Sequence, residues 1–242
     1  MDLKQSTNFD LTESTIHVWH ADYRSLIPDN NQFKSYLSKQ ELECSHMFGK
    51  LSHQNQFVCR RGLLRQLLAH YLKTHPKNVE IYYNEKRKPF TKANIQFSVS
   101  HSNDKLVIAF TLNQPIGVDI EWINPLINPS DIAHLIFNTS DLNKFYQLHH
   151  EEQRLYFFEN WVIKEAALKA LGTGFFEDPK NVIYSRDSNR VSFILDSSDH
   201  CLKVSILPTN ERYFCAVAHQ KLKKTLEEYT YGHWRETLSL NS

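Results

Sequence analysis

The chain has 242 residues, 41% of them hydrophobic, so it can bury a substantial core as one large domain or two smaller ones. Its 28 Lys and Arg residues balance 27 Asp and Glu residues, which excludes a strong overall field for nucleic acid or an anionic membrane. The first ten residues lack the features of a leader sequence, and no run approaches the ~18 apolar residues of a membrane span. We therefore expect a cytoplasmic protein with no nucleic-acid or membrane partner.

The first half of the chain carries helix patterns followed by strand patterns. Ser38 with Glu41 forms a capping-box pattern, which predicts a short helix to about Phe48, before Gly49. Apolar residues at helical spacing then predict a long helix over residues 53–74. Short runs rich in β-branched and aromatic residues, separated by turn formers, predict strands. These strands cover residues 79–83, 95–100, 106–111 and 116–123.

The second half repeats this order of elements, although no repeat of the sequence itself is visible. Helices are predicted over residues 130–137, 140–148 and 151–171, and strands over residues 182–185, 191–195, 202–207 and 214–218. Helices followed by antiparallel strands, twice over, predict an α+β fold of two similar half-domains, each a small antiparallel sheet packed with helices. The turn at residues 113–115 divides the halves into residues 1–114 and 115–242.

The four cysteines, Cys44, Cys59, Cys201 and Cys215, are widely scattered. None of them forms a C-x-x-C pair, and two lie in stretches that are predicted to be apolar elements. We expect reduced thiols in the core rather than disulfides or a metal site.

Two acidic residues alternate with apolar residues in the predicted strand at residues 117–122. Strand geometry places Asp119 and Glu121 on one face and Val118 and Ile120 on the other. Such a pair alone is more often the solvated face of an edge strand. A functional interpretation therefore needs a third ligand.

The predicted helix at residues 151–171 supplies a candidate third acid. Glu165 and Lys169 are four residues apart and share one helix face, which on its own indicates no more than a surface ion pair. The helix is otherwise rich in apolar residues up to a glycine stop, so it is predicted to be buried and its charged pair to need a partner. Three carboxylates without His or Cys suit Mg²⁺, which takes its remaining ligands from phosphate oxygens and water. This set predicts a phosphate-bearing substrate.

Two further segments are candidate anion-binding elements. The run Lys86-Arg87-Lys88-Pro89 has three cations that can grip a phosphate, although a solvated basic loop is the simpler interpretation. Ser100 and His101 stand at the end of a predicted strand, where a cluster that caps a turn is the simpler interpretation.

Together and in this order, these segments resemble the 4′-phosphopantetheinyl transferase superfamily, in particular its monomeric, two-half, Sfp-type branch. The family's G-[IV]-D-[IVL]-E strand and W-x-x-K-E-x-x-x-K helix match residues 117–121 and 161–169. Its G-K-P, F-N-x-S-H-S and R-x-L-L-R segments are similar to residues 87–89, 97–102 and 61–65. The resemblance covers about residues 61–175.

This sequence departs from the family pattern in three places. Arg87 stands where the family usually has glycine, and Ser98 where it usually has asparagine. Before Arg61 there is no clear counterpart of the arginine that other members place on the nucleotide phosphate, since Lys50 and His53 are merely nearby.

The resemblance implies Mg²⁺-dependent transfer of 4′-phosphopantetheine from coenzyme A to a serine of an apo acyl or peptidyl carrier protein. The site would lie between the halves of a monomer. The resemblance implies three roles: metal ligands Asp119, Glu121 and Glu165; coenzyme A contacts Lys86, Arg87, Lys88, Ser100, His101 and Lys169; catalytic groups Glu165 and Lys169. Two alternatives stay open, a Mg²⁺-dependent phosphohydrolase and a non-catalytic module that binds coenzyme A or a carrier.

Overall fold

A computed structural model describes residues 9–172, 177–195, 198–210, 212–220, 224–232 and 234. Residues 173–175, at the end of the family resemblance, lie outside this described part. The first elements are β1 Thr15–Asp22, α1 Tyr23–Leu26, α2 Asn30–Tyr36, α3 Lys39–His46, α4 Leu51–Leu72, β2 Tyr82–Tyr83, β3 Pro89–Phe90, β4 Ile95–Ser102 and β5 Lys105–Leu112. They are followed by β6 Ile116–Trp122, α5 Pro129–Ile136, α6 Thr139–Gln147, α7 His150–Leu171, β7 Ile183–Ser185, β8 Arg190–Leu195, β9 Ser198–Leu207, β10 Tyr213–His219 and β11 Thr225–Thr230.

Most predicted elements are present with ends shifted by a few residues. The capping box is confirmed: the Ser38 hydroxyl accepts from the Glu41 N–H, and the Glu41 carboxylate accepts from the Ser38 N–H. The strand predicted over residues 79–83 is reduced to β2, because the Val79 carbonyl accepts a hydrogen bond from Arg65 rather than from a neighbouring strand. The sequence analysis did not predict β1, α1, α2, β3 or β11.

Two sheets carry the fold, with strand orders β11-β1-β5-β4 and β6-β10-β9-β8-β7. Neighbouring strands are antiparallel except β11, which runs parallel to β1. Helices pack on these small sheets, which confirms the α+β class. β11 belongs to the predicted second half but pairs with β1 in the first sheet. The boundary at residue 114 stays a prediction.

Serine side chains join the two sheets where β4 lies beside β6. The Val118 N–H donates to the Ser98 hydroxyl at 3.0 Å, and the Trp122 N–H donates to the Ser102 hydroxyl at 3.0 Å. These side chains take the place of backbone ladder bonds between the strands. Ser98, where the family has asparagine, is therefore an acceptor at this junction.

A short sequence repeat marks the two halves, contrary to the expectation that no repeat is visible. The residues P-K-N-V occur at 76–79 and again at 179–182. Each copy begins a 3₁₀ turn that follows a long helix, α4 or α7, each of 22 residues. The halves are therefore similar in local sequence as well as in element order.

Each long helix carries one buried cationic side chain that donates hydrogen bonds to the 3₁₀ turn that follows the helix. The Arg65 guanidinium donates to the proline and valine carbonyls of the first turn at 3.2 and 2.8 Å, and to Glu41 at 2.7 Å. The Lys164 ammonium donates to the corresponding carbonyls of the second turn at 3.1 and 2.5 Å and lies 3.5 Å from Asp141. Lys164 of the family helix motif thus has a structural role, because it fastens α7 to the turn and to α6.

Close packing of α7 on β6 brings the acidic strand and the acidic helix together. A Cβ at Gly117 would lie 1.9 Å from the Ala166 carbonyl oxygen, so only glycine permits this approach. On the same helix, Val162, Ile163 and Ala167 are buried in the hydrophobic core. The approach places the carboxylate positions of α7 beside those of β6.

The prediction of reduced core thiols is correct for two cysteines and wrong in location for two. All four are free thiols; Cys59 and Cys215 are buried, while Cys44 and Cys201 are exposed. Among the described residues, none of the helices is long and apolar enough to cross a membrane.

Candidate active site

Asp119 is at the centre of a group of polar side chains between β4, β6 and α7. It is only 3% exposed. Its Oδ1 accepts from the Ser100 hydroxyl at 2.6 Å and from the Lys169 ammonium at 2.6 Å. Lys169 also donates to the Ser100 hydroxyl at 2.9 Å. The structure thus brings together three residues that the sequence analysis assigned to different elements.

The second oxygen of Asp119 has no hydrogen-bond partner among the described residues, although it is buried. A buried carboxylate oxygen without a donor is costly, because it has lost water without gaining a replacement. This oxygen is therefore an available ligand for a cation.

Glu121 lies on the same face of β6, two residues from Asp119. Its carboxylate accepts from the Ser102 hydroxyl at 2.7 Å. Burial raises the pKa of Glu121, and the negative charge of Asp119 adds to this rise, while the hydrogen bond from Ser102 opposes it. The predicted shared face of the two acids is confirmed.

Glu165 reaches the same region from α7. Burial and the negative charges of Asp119 and Glu121, opposed by the positive charge of Lys169, together raise the pKa of its carboxyl to about 7. A carboxyl whose pKa lies near neutral pH is suited to accept and release a proton during a reaction.

The donor chemistry of these acids fits magnesium, which prefers oxygen ligands. Within the described ranges, no three His, Cys, Asp or Glu side chains already form a metal-binding group, and the Lys169 ammonium is paired with Asp119. The orphaned Asp119 oxygen and the mutual repulsion of the three carboxylates both favour an added cation. The metal-ligand roles of Asp119, Glu121 and Glu165 stay predictions.

A cavity of about 200 Å³ adjoins this group and is lined by the basic run. Its walls are residues 86–89, residues 97–99, Lys169 and Gly172. Lys86 and Arg87 are exposed there. The structure therefore places the predicted basic element next to the end of α7, around the same cavity as Lys169.

The Lys88 ammonium does not point freely into that cavity. It donates to the carbonyl oxygens of Lys169 at 2.6 Å, Ala170 at 3.2 Å and Ile116 at 3.3 Å. Burial lowers the pKa of Lys88 to about 8. The predicted phosphate contact of Lys88 stays untested, and its hydrogen-bonding groups have other partners in this structure.

His101 stands at the exposed end of β4, with its ring centroid 6.5 Å from that of Tyr23. Partial removal from water lowers the pKa of His101, and the positive charges of Arg60 and Lys169 lower it further. The imidazole is therefore neutral near pH 7 in the absence of an anion, and it lies in a positive local field.

Residues 115–218 match the model of the 4′-phosphopantetheinyl transferase superfamily. That range contains Asp119, Glu121, Glu165 and Lys169. The chain belongs to the 4′-phosphopantetheinyl transferase superfamily. Its enzyme type is therefore that of a transferase of phosphopantetheinyl groups.

Individual members of the superfamily are similar over longer ranges. The 4′-phosphopantetheinyl transferase HetI of Nostoc is 28% identical over 177 residues, 71% of this chain and 75% of HetI. A putative 4′-phosphopantetheinyl transferase of Synechocystis is 26% identical over 206 residues, 81% of this chain and 82% of the relative. The transferase AcpT of Escherichia coli K12 is 31% identical over 139 residues, 57% of this chain and 66% of AcpT.

The sequence analysis of this superfamily member missed Arg60, which lies on α4 and faces the same region as His101. Burial lowers the pKa of Arg60, and the guanidinium lies over the Phe57 ring at 5.6 Å. Across the described part of the chain, no carboxylate lies within 4.0 Å of it. Helical spacing was the sequence feature that could have identified it. Arg61 and Arg65 share one face of α4, whereas Arg60 lies about 100° around the helix from Arg61 and therefore on a different face. Lys50 and His53, which the sequence analysis mentioned only as near the missing arginine, are exposed.

Proposed function

We propose that this protein transfers the 4′-phosphopantetheine group from coenzyme A to a serine hydroxyl of an apo acyl or peptidyl carrier protein, with Mg²⁺. The observation that carries the proposal is the convergence of Asp119, Lys169 and Ser100 beside Glu121 and Glu165. Family membership supports the same reaction type. The cytoplasmic location and the monomeric state remain predictions.

The charged groups of the site are divided in a way that suits a substrate with two separate phosphate regions. Acidic groups and Lys169 lie at the junction of β6 and α7, where a metal-bound diphosphate is expected. Further cationic groups lie in the same region, with Lys86 and Arg87 at the adjoining cavity and Arg60 near His101. Coenzyme A carries both a diphosphate and a separate 3′-phosphate. Its phosphates can therefore contact each kind of group.

Asp119, Glu121 and Glu165 are the residues that would hold the magnesium ion. When bound, Mg²⁺ supplies positive charge that offsets the charge developing on the diphosphate oxygens. The second oxygen of Asp119, which has no donor, would be available to the ion, and Lys169 on the first oxygen would lie beside it, in a position to meet the diphosphate.

The transfer needs a group that removes a proton from the attacking serine. The carrier serine oxygen forms a bond to the β-phosphorus while the bond from that phosphorus to the bridging oxygen breaks. Adenosine 3′,5′-bisphosphate leaves with the bridging oxygen, whose charge Lys169 stabilises. The serine proton would pass to the Glu165 carboxylate, whose pKa in the metal-free protein is raised to about 7.

Intact-mass measurement of a carrier tests the proposal. Wild-type protein with coenzyme A, Mg²⁺ and several apo carriers should add one phosphopantetheinyl group to at least one carrier. Asp119→Asn should lower the rate by about 100-fold or more, because it removes charge at the centre of the site. Asp131→Asn is the matched control, since Asp131 is an exposed acid in the first turn of α5. No mass gain with any carrier would refute the proposal.

The same experiment separates the two alternatives. A phosphohydrolase would release adenosine 3′,5′-bisphosphate or another phosphate product from coenzyme A without a carrier. A non-catalytic module would bind coenzyme A in calorimetry without any product. The raised pKa of Glu165 next to Lys169 favours the transferase over the binding module, since a module that only binds has no use for a proton acceptor.

A further inference from the structure

Lys88 connects the basic loop to the end of the helix that carries Glu165 and Lys169. The last carbonyl groups of an α-helix lack partners within the helix, and cations stabilise this end. Here the cation comes from the loop between β2 and β3, more than 80 residues away along the chain. Its ammonium donates to Ala170 O, to Lys169 O, which also accepts from the Gly172 N–H at 3.2 Å, and to Ile116 O at the start of β6.

The stem of Lys88 lies close to Gly172, and its backbone is hydrogen-bonded within the loop. A Cβ at Gly172 would lie 3.1 Å from the Lys88 Cδ, and Gly172 has a φ of +74°, which ends α7. The Lys88 N–H donates to the Asn84 side chain at 2.7 Å, while the Asn84 N–H donates to the Lys88 carbonyl at 3.0 Å. The loop conformation therefore sets where the ammonium lies.

We propose that Lys88 is a positioning residue for the transfer reaction rather than a phosphate ligand. By binding the Lys169 and Ala170 carbonyls and the Ile116 carbonyl together, it fixes the last turn of α7 against β6. That turn carries Lys169, whose side chain must reach Asp119 and Ser100. The inference rests on the proposed function for its kinetic consequences.

The two roles of Lys88 predict different kinetics for Lys88→Met. A positioning residue acts on the geometry of Lys169, so kcat should fall by about 10-fold to 100-fold while KM for coenzyme A changes by less than about threefold. A phosphate ligand would instead raise KM with kcat little changed. Lys86→Met is the matched comparison in the same loop. It removes an exposed cation that makes no hydrogen bond to α7 among the described residues.

Amide hydrogen exchange tests the same inference without any enzyme activity. In Lys88→Met, the amides of the last turn of α7 should exchange faster than in wild type, and in Lys86→Met they should not. Unchanged exchange in Lys88→Met, or a raised KM at constant kcat, would overturn the positioning role. Wild-type protein that modifies no carrier would refute the proposed function, and the exchange comparison would still decide the role of Lys88.

A second variant covers the case in which Lys88→Met does not fold. Lys88→Arg keeps the charge and the apolar stem, but a planar guanidinium cannot place one nitrogen among three carbonyl oxygens as an ammonium does. We expect it to fold and to show faster exchange in the last turn of α7 than wild type. Wild-type exchange in Lys88→Arg, with KM for coenzyme A also unchanged, would contradict the inference.

Discussion

Replacing Glu165 by glutamine tests whether burial and repulsion between the acids of the site make the ionised form of Glu165 destabilise the folded protein. Burial first, and then the negative charge of Asp119, raises the pKa of Glu165 from its ordinary 4.5 to about 7. The folded protein therefore retains a proton that the unfolded chain releases between these two pH values. Stability is lost as the pH rises through that window, because ionisation is harder in the folded state.

The size of the effect follows from the pKa. At about 1.4 kcal/mol for each factor of ten in the ionisation constant, the rise to about 7 corresponds to about 3 kcal/mol at about pH 8. Glutamine has nearly the same shape and does not ionise. Glu165→Gln should therefore exceed wild type in free energy of unfolding by about 2 to 3 kcal/mol at about pH 8, and by less than about 1 kcal/mol at about pH 5.

Urea denaturation of the metal-free protein, followed by circular dichroism at both pH values, measures this difference. Glu151→Gln, an exposed position in the first turn of α7, is the control and should show a small difference that does not change with pH. A difference for Glu165→Gln that is the same at both pH values would refute the reasoning. So would a variant that is less stable than wild type at the higher pH.

The remaining predictions concern metal, phosphate binding, backbone conformation and the buried ion pair. Adding Mg²⁺ should raise the melting temperature of wild type more at about pH 8 than at about pH 5, because ionised carboxylates bind the metal. The rise should be smaller in Glu165→Gln than in wild type. Equal rises in the two proteins, or at the two pH values, would contradict the metal site. Arg60→Met should raise KM for coenzyme A by about tenfold, with the exposed Arg212→Met unchanged; an unaltered KM would exclude a phosphate contact. Arg87→Gly should raise the free energy of unfolding by about 1 kcal/mol, because Arg87 has a φ of +62°; a loss of stability would show that its side chain compensates. Asp141→Ala should lower the free energy of unfolding by about 3 kcal/mol in urea denaturation, because Lys164 loses its counter-charge. A change below about 1 kcal/mol would show that the turn carbonyls alone are sufficient to stabilise the buried ammonium.

Local patterns in the sequence predicted much of the site, because its acids lie on regular elements. Strand alternation correctly placed Asp119 and Glu121 on one face, and helical spacing placed Glu165 and Lys169 on another element of the same site. Glycine at position 117 was part of the family motif, but only the structure shows that its role is to let α7 approach β6. Such spacing arguments work because the period of a strand or helix determines which side chains share a face.

Contacts between distant segments could not be predicted in this way. Pairing of β1 with β11 joins strands about 200 residues apart, and neither has a pattern that identifies its partner. The target of Lys88 likewise depends on how a loop folds over the end of α7, so its charge alone suggested a phosphate. The P-K-N-V repeat was visible in the sequence, but only the equivalent contacts of Arg65 and Lys164 show that it reports structural similarity.

The two halves share a scaffold but differ where the chemistry is proposed. Counting along the helices from the matching buried cations, Arg65 and Lys164, the positions of Glu165 and Lys169 correspond to Gln66 and His70 in α4. His70 packs its ring edge-on against Phe9 and Trp234. The cation that fastens each helix to its turn therefore serves the scaffold in both halves, whereas the acid and lysine one to five residues further on serve the site in one half. Because the first half contributes Ser100 and the loop of Lys88 to that site, neither half alone assembles it.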